Sequence, residues 1–210
     1  MCAAALTCRA GCFGKIPQLG DFVTRILPRE FVDPWDAFLR RLMAGSREAL
    51  GPQWLDLYLQ APIWRFAFPA GHAGQSAVAG VLMPSVDKVG RYFPLTIAVL
   101  LPSATADLRD PWFDRAEALS LDTLEDSFDP ASLTARLEAL GAPDHTDKNV
   151  TAGLWETPGS QHVPAGAFRA ANLPDGAQCA ALLDGDCAQW GWSVEVIPVL
   201  AGTNEATQPA

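Results

Sequence analysis

The chain has 210 residues, of which 49% are hydrophobic and 19% charged, with seven tryptophans and ten phenylalanines; this composition excludes a disordered protein and predicts one domain with a substantial core. The net charge of −9 is uneven, because residues 1–100 carry ten basic and seven acidic side chains (+3), whereas residues 101–210 carry five and seventeen (−12). An acidic surface repels phosphate groups and anionic lipid, which argues against nucleic acid and membrane surfaces as ligands.

The two ends of the sequence differ from the rest. Residues 1–10 and 201–210 are small or polar and lack periodicity, so we expect flexible segments on either side of one domain at 11–200. No apolar run approaches the length of a membrane span, and the N-terminus lacks the charged segment of a secretory signal. No CxxC pair occurs among the five cysteines, which are Cys2, Cys8, Cys12, Cys179 and Cys187. We therefore predict a cytoplasmic protein with reduced thiols.

The first predicted strand covers residues 10–14, and the first helix opens at an Asp-Pro-Trp tripeptide, residues 33–35. A second such tripeptide at 110–112 predicts another helix, since aspartate is a favoured N-cap and proline suits the first helical position. Each helix carries an apolar stripe at three- and four-residue spacing, Trp35, Phe38, Leu39, Leu42 and Met43 in the first and Trp112, Phe113, Ala116, Leu119 and Leu124 in the second. We predict two further helices, from Asp129 to Gly141 and over residues 174–184.

Between the first two helices the pattern is that of strands. Residues 63–68 alternate, with three aromatic side chains on one face, and the continuous apolar runs at 77–83 and 95–101 are typical of central strands covered on both faces. Weaker strands are predicted at 153–157 and 193–199. Strands interleaved with helices, and also next to one another, predict an α/β fold: a single-domain three-layer α/β/α sandwich with a mixed sheet.

Polar residues gather in two loops that adjoin predicted buried strands, at 14–22 and 84–93. We predict that these loops form one interaction surface, made of Lys15, Gly20, Asp21, Ser85, Asp87, Gly90 and Arg91. Gly20 permits a tight or positive-φ turn, and Asp21 caps that turn by accepting backbone hydrogen bonds. Arg91 can pair with Asp21 or Asp87. Two interpretations stay open: a surface that binds a carboxylate or phosphate, or an ion pair that only holds two loops together.

Catalytic machinery is not visible in the sequence. Gly14-Lys15 is followed by Ile16-Pro17, which does not match a phosphate-binding loop, and no G-x-S-x-G motif occurs. Asp144, His145 and Asp147 lack a second histidine or cysteine at metal-ligand spacing. We therefore predict no catalytic residue, cofactor or metal. The alternative is a small hydrolase or nucleotide-binding enzyme that uses Lys15, Asp87 and Arg91.

The tryptophans divide into two groups. Trp35, Trp64 and Trp112 fall on predicted core faces, where packing explains them. Trp190 and Trp192, on either side of a glycine, would serve as anchors for a protein partner if they were exposed together.

Three segments resemble the TagF (ImpM) family of the bacterial type VI secretion system: GKIPQLGDFV at 14–23, PWD at 34–36 and GVLMPSVDKVGRYFPL at 80–95. With WLDLYL at 54–59 and IWRF at 63–66, the resemblance covers about residues 11–200. It implies a sandwich with longin-like features and a non-enzymatic, post-translational repressor of type VI assembly. It also implies action by protein–protein interaction, with a forkhead-associated scaffold protein as the expected partner and no small-molecule substrate.

Overall fold

Eight strands form the central sheet of the computed structural model, which describes residues 8–102, 105–146 and 151–198. Along the sheet their order is β10-β9-β8-β3-β4-β5-β1-β2, and β6 and β7 form a separate pair. The strands are β1 (Ala10–Gly14), β2 (Val23–Arg25), β3 (Trp64–Phe68), β4 (Ala77–Met83), β5 (Leu95–Leu101), β6 (Thr105–Ala106), β7 (His145–Thr146), β8 (Gly153–Thr157), β9 (Gly166–Ala170) and β10 (Val194–Ile197).

Every pair of neighbouring strands in the described sheet is antiparallel, so the prediction of a mixed sheet is wrong. The three central strands, β3, β4 and β5, follow one another along the chain and pair directly, without the helical crossover that parallel pairing requires. Their apolar runs reflect cover on both faces rather than parallel pairing. The α/β class and the three layers are confirmed.

Five α-helices cover the two faces of the sheet within the described residues, and short 3-10 turns precede α2, α4 and α5. One layer holds α1 and α5, the other holds α3 and α4, and α2 packs beside α1 and α5. The helices are α1 (Arg29–Leu50), α2 (Trp54–Leu59), α3 (Pro111–Asp122), α4 (Leu133–Leu140) and α5 (Ala181–Asp184). None of them is long and apolar enough to cross a membrane.

The two faces of the sheet bury different kinds of side chain. The face under α1 is aromatic, with the rings of Trp35, Phe66 and Phe68 in contact, while the face under α3 and α4 is mainly aliphatic. The predicted core positions of Trp35, Trp64 and Trp112 are confirmed. Trp35 also donates a hydrogen bond from Nε1 to Thr96 Oγ1 at 2.9 Å, which fixes α1 on the sheet.

Helix α1 begins four residues before its predicted N-cap. It starts at Arg29, so Asp33 is not its N-cap and Pro34 lies inside the helix. Phe31 and Val32 are buried in the aromatic core. Burial of these two side chains outweighs the single backbone hydrogen bond that Pro34 cannot make.

The other predicted helices agree more closely. Asp110 caps α3, since its side chain accepts a hydrogen bond from the backbone of Trp112 at 2.7 Å. Leu124 is the exception: it lies beyond the end of α3 and is 38% exposed, so its predicted place on the buried stripe is wrong. The 129–141 segment forms a 3-10 turn and α4, and the 174–184 segment forms a 3-10 turn and α5.

Some predictions fall outside the described residues. Of the flexible ends predicted at 1–10 and 201–210, residues 1–7 and 201–210 lie outside the described part of the chain, as do the last residue of the strand predicted at 193–199 and Asp147. The limits of the domain at 11–200 stay a prediction, although the sheet itself runs from β1 to β10.

Candidate functional site

The 14–22 and 84–93 loops meet at one end of the sheet because of strand register. Phe13 at the end of β1 pairs with Thr96, and Met83 at the end of β4 pairs with Leu95. Both strands therefore end beside the start of β5. The loops that follow β1 and β4 emerge next to each other, as the sequence predicted only from their composition.

Gly14 allows the two loops to approach closely. Its φ is 141°, and a Cβ at this position would lie 2.1 Å from the carbonyl oxygen of Pro94. Only glycine fits such a contact. Lys15, the next residue, is thereby turned toward the 84–93 loop and is buried.

The carboxylate of Asp87 is the centre of the site. Its Oδ1 accepts hydrogen bonds from the backbone N–H groups of Val89 at 3.0 Å and Arg91 at 2.9 Å. Its Oδ2 accepts from Lys15 Nζ at 2.9 Å and from Arg91 Nε at 2.7 Å. Asp87 is buried, so these four bonds replace the water that its charge would otherwise require.

Burial by itself raises the pKa of the Asp87 carboxyl, because the charged form loses solvation. The hydrogen bonds from the Arg91 backbone, the Lys15 ammonium, the Arg91 guanidinium and the Val89 backbone outweigh burial and hold this pKa well below its ordinary value. Asp87 is therefore ionised at neutral pH.

Arg91 joins the two loops. Besides its bond to Asp87, it donates from Nη2 to the carbonyl of Gly20 at 2.5 Å, and the neighbouring Lys88 N–H donates to Leu19 O at 2.9 Å. The side chain of Arg91 is nevertheless 59% exposed. The same guanidinium thus pins the loops together and faces solvent, so the geometry is compatible with both interpretations that the sequence left open.

The remaining predicted residues have smaller roles. Asp21 caps the loop as expected, accepting from the Phe22 N–H at 2.8 Å, and Asp87 rather than Asp21 is the partner of Arg91. The φ of Gly20 is not positive. In the 84–93 loop it is Gly90, at 81°, that takes the left-handed conformation.

Sequence reasoning missed Tyr58 on α2, whose side chain forms hydrogen bonds to the backbone of the 84–93 loop. Its hydroxyl donates to Ser85 O at 2.9 Å and accepts from the Ser85 N–H at 3.0 Å, while Ser85 Oγ donates to Lys15 O at 2.8 Å. Burial raises the pKa of Tyr58, so the hydroxyl keeps its proton. A single tyrosine in an apolar segment gives no sequence signal for this role.

Gln18 was also missed. Its Nε2 donates to the carbonyl oxygens of Thr123 at 3.1 Å and Glu125 at 2.9 Å. These carbonyls belong to the 121–126 turn, by which we mean the last two residues of α3 and the four residues that follow them. The 14–22 loop is therefore bonded to the 84–93 loop on one side and to the 121–126 turn on the other.

Two grooves lie elsewhere on the molecule. One, of about 560 Å³, lies between the end of α1 and Trp190, whose Nε1 donates to Asp184 at 2.7 Å. Another, of about 550 Å³, follows the β9–β10 edge. Neither is lined by Lys15, Asp87 or Arg91. Trp192 is only 5% exposed and packs on Phe168, so Trp190 and Trp192 do not form the exposed pair that the sequence suggested.

Comparison with known proteins identifies the family. A family model described as "TagF N-terminal domain, Type VI secretion system-associated" matches residues 11–140. The protein is also similar to PA0076 from Pseudomonas aeruginosa PAO1, whose crystal structure gives a TM-score of 0.78 at 38% sequence identity and covers 92% of this chain and 99% of that one. No curated protein matches. The family description names an association with secretion and not an enzymatic reaction. The chain belongs to this TagF family of type VI secretion-associated proteins.

Proposed function

We propose that this protein is a cytoplasmic, non-enzymatic repressor that holds type VI assembly off after translation, by binding a protein partner. Family membership supports the link with type VI secretion. The observation that carries the binding role is the joining of the 14–22 and 84–93 loops into one surface through Asp87 and Arg91. A surface organised before binding loses little conformational entropy when a partner docks.

The partner that we propose is a forkhead-associated scaffold protein, as the family resemblance implies. On the side of the 84–93 loop the surface presents the exposed side chains of Lys88 and Arg91 with the apolar side chain of Val89 between them in sequence. Cationic and apolar groups together suit a protein surface that is acidic and partly apolar. The proposal includes no cofactor, nucleic acid or membrane.

The enzyme alternative gains no support from the geometry of Lys15, Asp87 and Arg91. All four hydrogen bonds that a carboxylate commonly accepts are already made at Asp87, and its lowered pKa makes it a poor general base. Turnover of a small substrate by the purified protein, lost on Lys15→Ala, would restore this alternative.

The test is secretion of a type VI substrate into the medium by cells that carry Arg91→Ala or Lys88→Glu. We expect both variants to release secretion while the protein remains folded, because each alters exposed charge on the proposed surface. Arg169→Ala is the matched control, since it removes an exposed arginine that pairs with Glu195 at the far edge of the sheet. Full repression by both variants, at protein levels equal to wild type, would contradict the proposal.

A further inference from the structure

The 121–126 turn exposes two leucines beside the 14–22 loop. Leu121 is 51% exposed and Leu124 is 38% exposed. The Leu124 N–H donates to Leu121 O at 2.9 Å, so the backbone continues in a helical turn and the two side chains, three residues apart, lie on the same side. Together they form a small apolar patch, rimmed by polar residues, that a partner can cover.

Acidic side chains flank these leucines. Glu125 and Asp126 are exposed, and neither carboxylate has an ion-pair partner in the part of the chain that the structure describes, whereas Asp122 pairs with Arg136. Helix α3 has no basic residue in its last turn. Negative charge at the carbonyl end of a helix opposes the helix dipole, so these carboxylates do not stabilise α3 and remain available to a partner.

The turn is also held in place by hydrogen bonds. Thr123, between the two leucines, is buried, and its Oγ1 donates to Ser120 O at 2.6 Å. Gln18 binds the carbonyls of Thr123 and Glu125, as described above. The leucines are therefore held at a fixed position next to the surface formed by the two loops.

We infer that the 121–126 turn is the second half of the docking surface and that it binds a basic segment of the partner protein, whose apolar side chains cover Leu121 and Leu124. This inference rests on the proposed function. Lys88 and Arg91 make one end of the surface basic. Glu125 and Asp126 make the other end acidic. The two charges together fix the orientation in which the partner binds. A second copy of this chain is disfavoured as the occupant, because two chains that each carry a net charge of −9 repel one another.

The experiment places the photo-reactive amino acid p-benzoylphenylalanine at position 121 of the full-length protein, in cells that make the type VI system. After irradiation, mass spectrometry identifies the cross-linked peptide. We expect a segment of a type VI protein with a net positive charge. Glu125→Lys with Asp126→Lys should lower the cross-link yield about fivefold or more, since two attractive charge pairs become repulsive. Glu48→Lys, at an exposed acidic site on α1, should leave the yield unchanged.

A second measurement uses repression itself. Leu121→Ser with Leu124→Ser should release secretion of a type VI substrate, because loss of the apolar area that the partner covers weakens partner binding about tenfold or more. The control is Val196→Ser, which removes a 76% exposed side chain at the opposite edge of the sheet.

Four results would overturn the inference: a captured segment without positive charge, capture of a second copy of this chain, a yield insensitive to the two lysines, or no cross-link above that obtained from position 196. These outcomes are separable from failure of the repressor proposal. That proposal fails if deletion of the whole protein leaves secretion unchanged, and a basic captured segment would support the docking inference even then.

Discussion

The four hydrogen bonds to the Asp87 carboxylate come from two loops that are distant in sequence. Lys15 approaches from the 14–22 loop, and Val89 and Arg91 from the 84–93 loop. A buried carboxylate of this kind fixes geometry because each donor would lose its partner if the loops separated. The shape of the proposed surface therefore depends on the charge of one residue.

Acidification should remove this contribution to stability. The folded-state pKa of Asp87 is depressed, so the unfolded chain takes up a proton first, near its ordinary value of about 4. The stabilisation is present above that pH and is lost as the pH falls further toward the folded-state pKa. Urea midpoints measured from pH 3 to 7 should fall at the acid end in wild type and fall less in Asp87→Asn. An equal fall of the urea midpoint in both proteins would show that Asp87 does not dominate the loss of stability at acid pH.

At the scale of single elements, how well the sequence predicts a segment depends on the length and continuity of its pattern. β1, β4, β5 and β8 have the predicted bounds, because uninterrupted or alternating apolar runs specify them. β2, α2 and β9 were missed. β2 and α2 have three and six residues, which is too short for a period to be distinguished. β9 was missed although it has five residues, as many as β1 and β8.

Arg65 shows what a local pattern cannot reveal, since it lies on a core strand yet reaches across to another layer. Its guanidinium donates to Glu117 and Asp114 on α3, at 2.6 Å each, and to Leu108 O at 3.0 Å. Burial lowers the pKa of Arg65, but these carboxylates outweigh it and raise the pKa overall. The contacts join α3 to the middle of the sheet.

Replacing Arg65 by methionine should lower the free energy of unfolding by about 2–3 kcal/mol, because a mostly buried set of charge-assisted hydrogen bonds is lost. Arg169→Met removes an exposed ion pair and should cost about 0–1 kcal/mol. Chemical denaturation of both variants checks the difference. Equal losses would mean that Arg65 contributes no more than a surface pair.

At the scale of the whole molecule, the candidate site could be predicted only in part. Composition identified the 14–22 and 84–93 loops, but their contact depends on β1 and β4 both lying beside β5, which no local pattern specifies. The 121–126 turn was missed because Leu124 fits the apolar stripe of α3 in sequence. In the structure, α3 ends at Asp122 and the stripe ends with it.

The residues after the family-model match are joined to the rest of the molecule through α1. A Cβ on Gly45 would lie 2.2 Å from the carbonyl oxygen of Gly176, so the helix and the 3-10 turn that leads into α5 touch backbone to backbone. β8, β9 and β10 extend the same sheet. The C-terminal part is therefore packed on the helix that contains the PWD segment at 34–36.

The sign of the change in stability caused by Gly45→Ala tests this packing. Alanine in place of glycine within a helix usually stabilises by about 1 kcal/mol, but here we expect a loss of about 1–3 kcal/mol, because α1 must move away from residue 176. Gly20→Ala is the control, since a Cβ there meets open space and φ is not positive. A gain in melting temperature for Gly45→Ala would contradict the close contact.

The order of the strands has a further consequence for how the chain acquires its fold. β3, β4 and β5 are consecutive in the chain and can pair soon after they are synthesised. The pairs β1–β5 and β3–β8 instead join strands that are far apart in the sequence. Contacts between distant residues form slowly, because a long loop has to close first. Until then the central meander has two open flanks that can recruit other chains. The chain is therefore most prone to aggregate during synthesis before β8, β9 and β10 have been made.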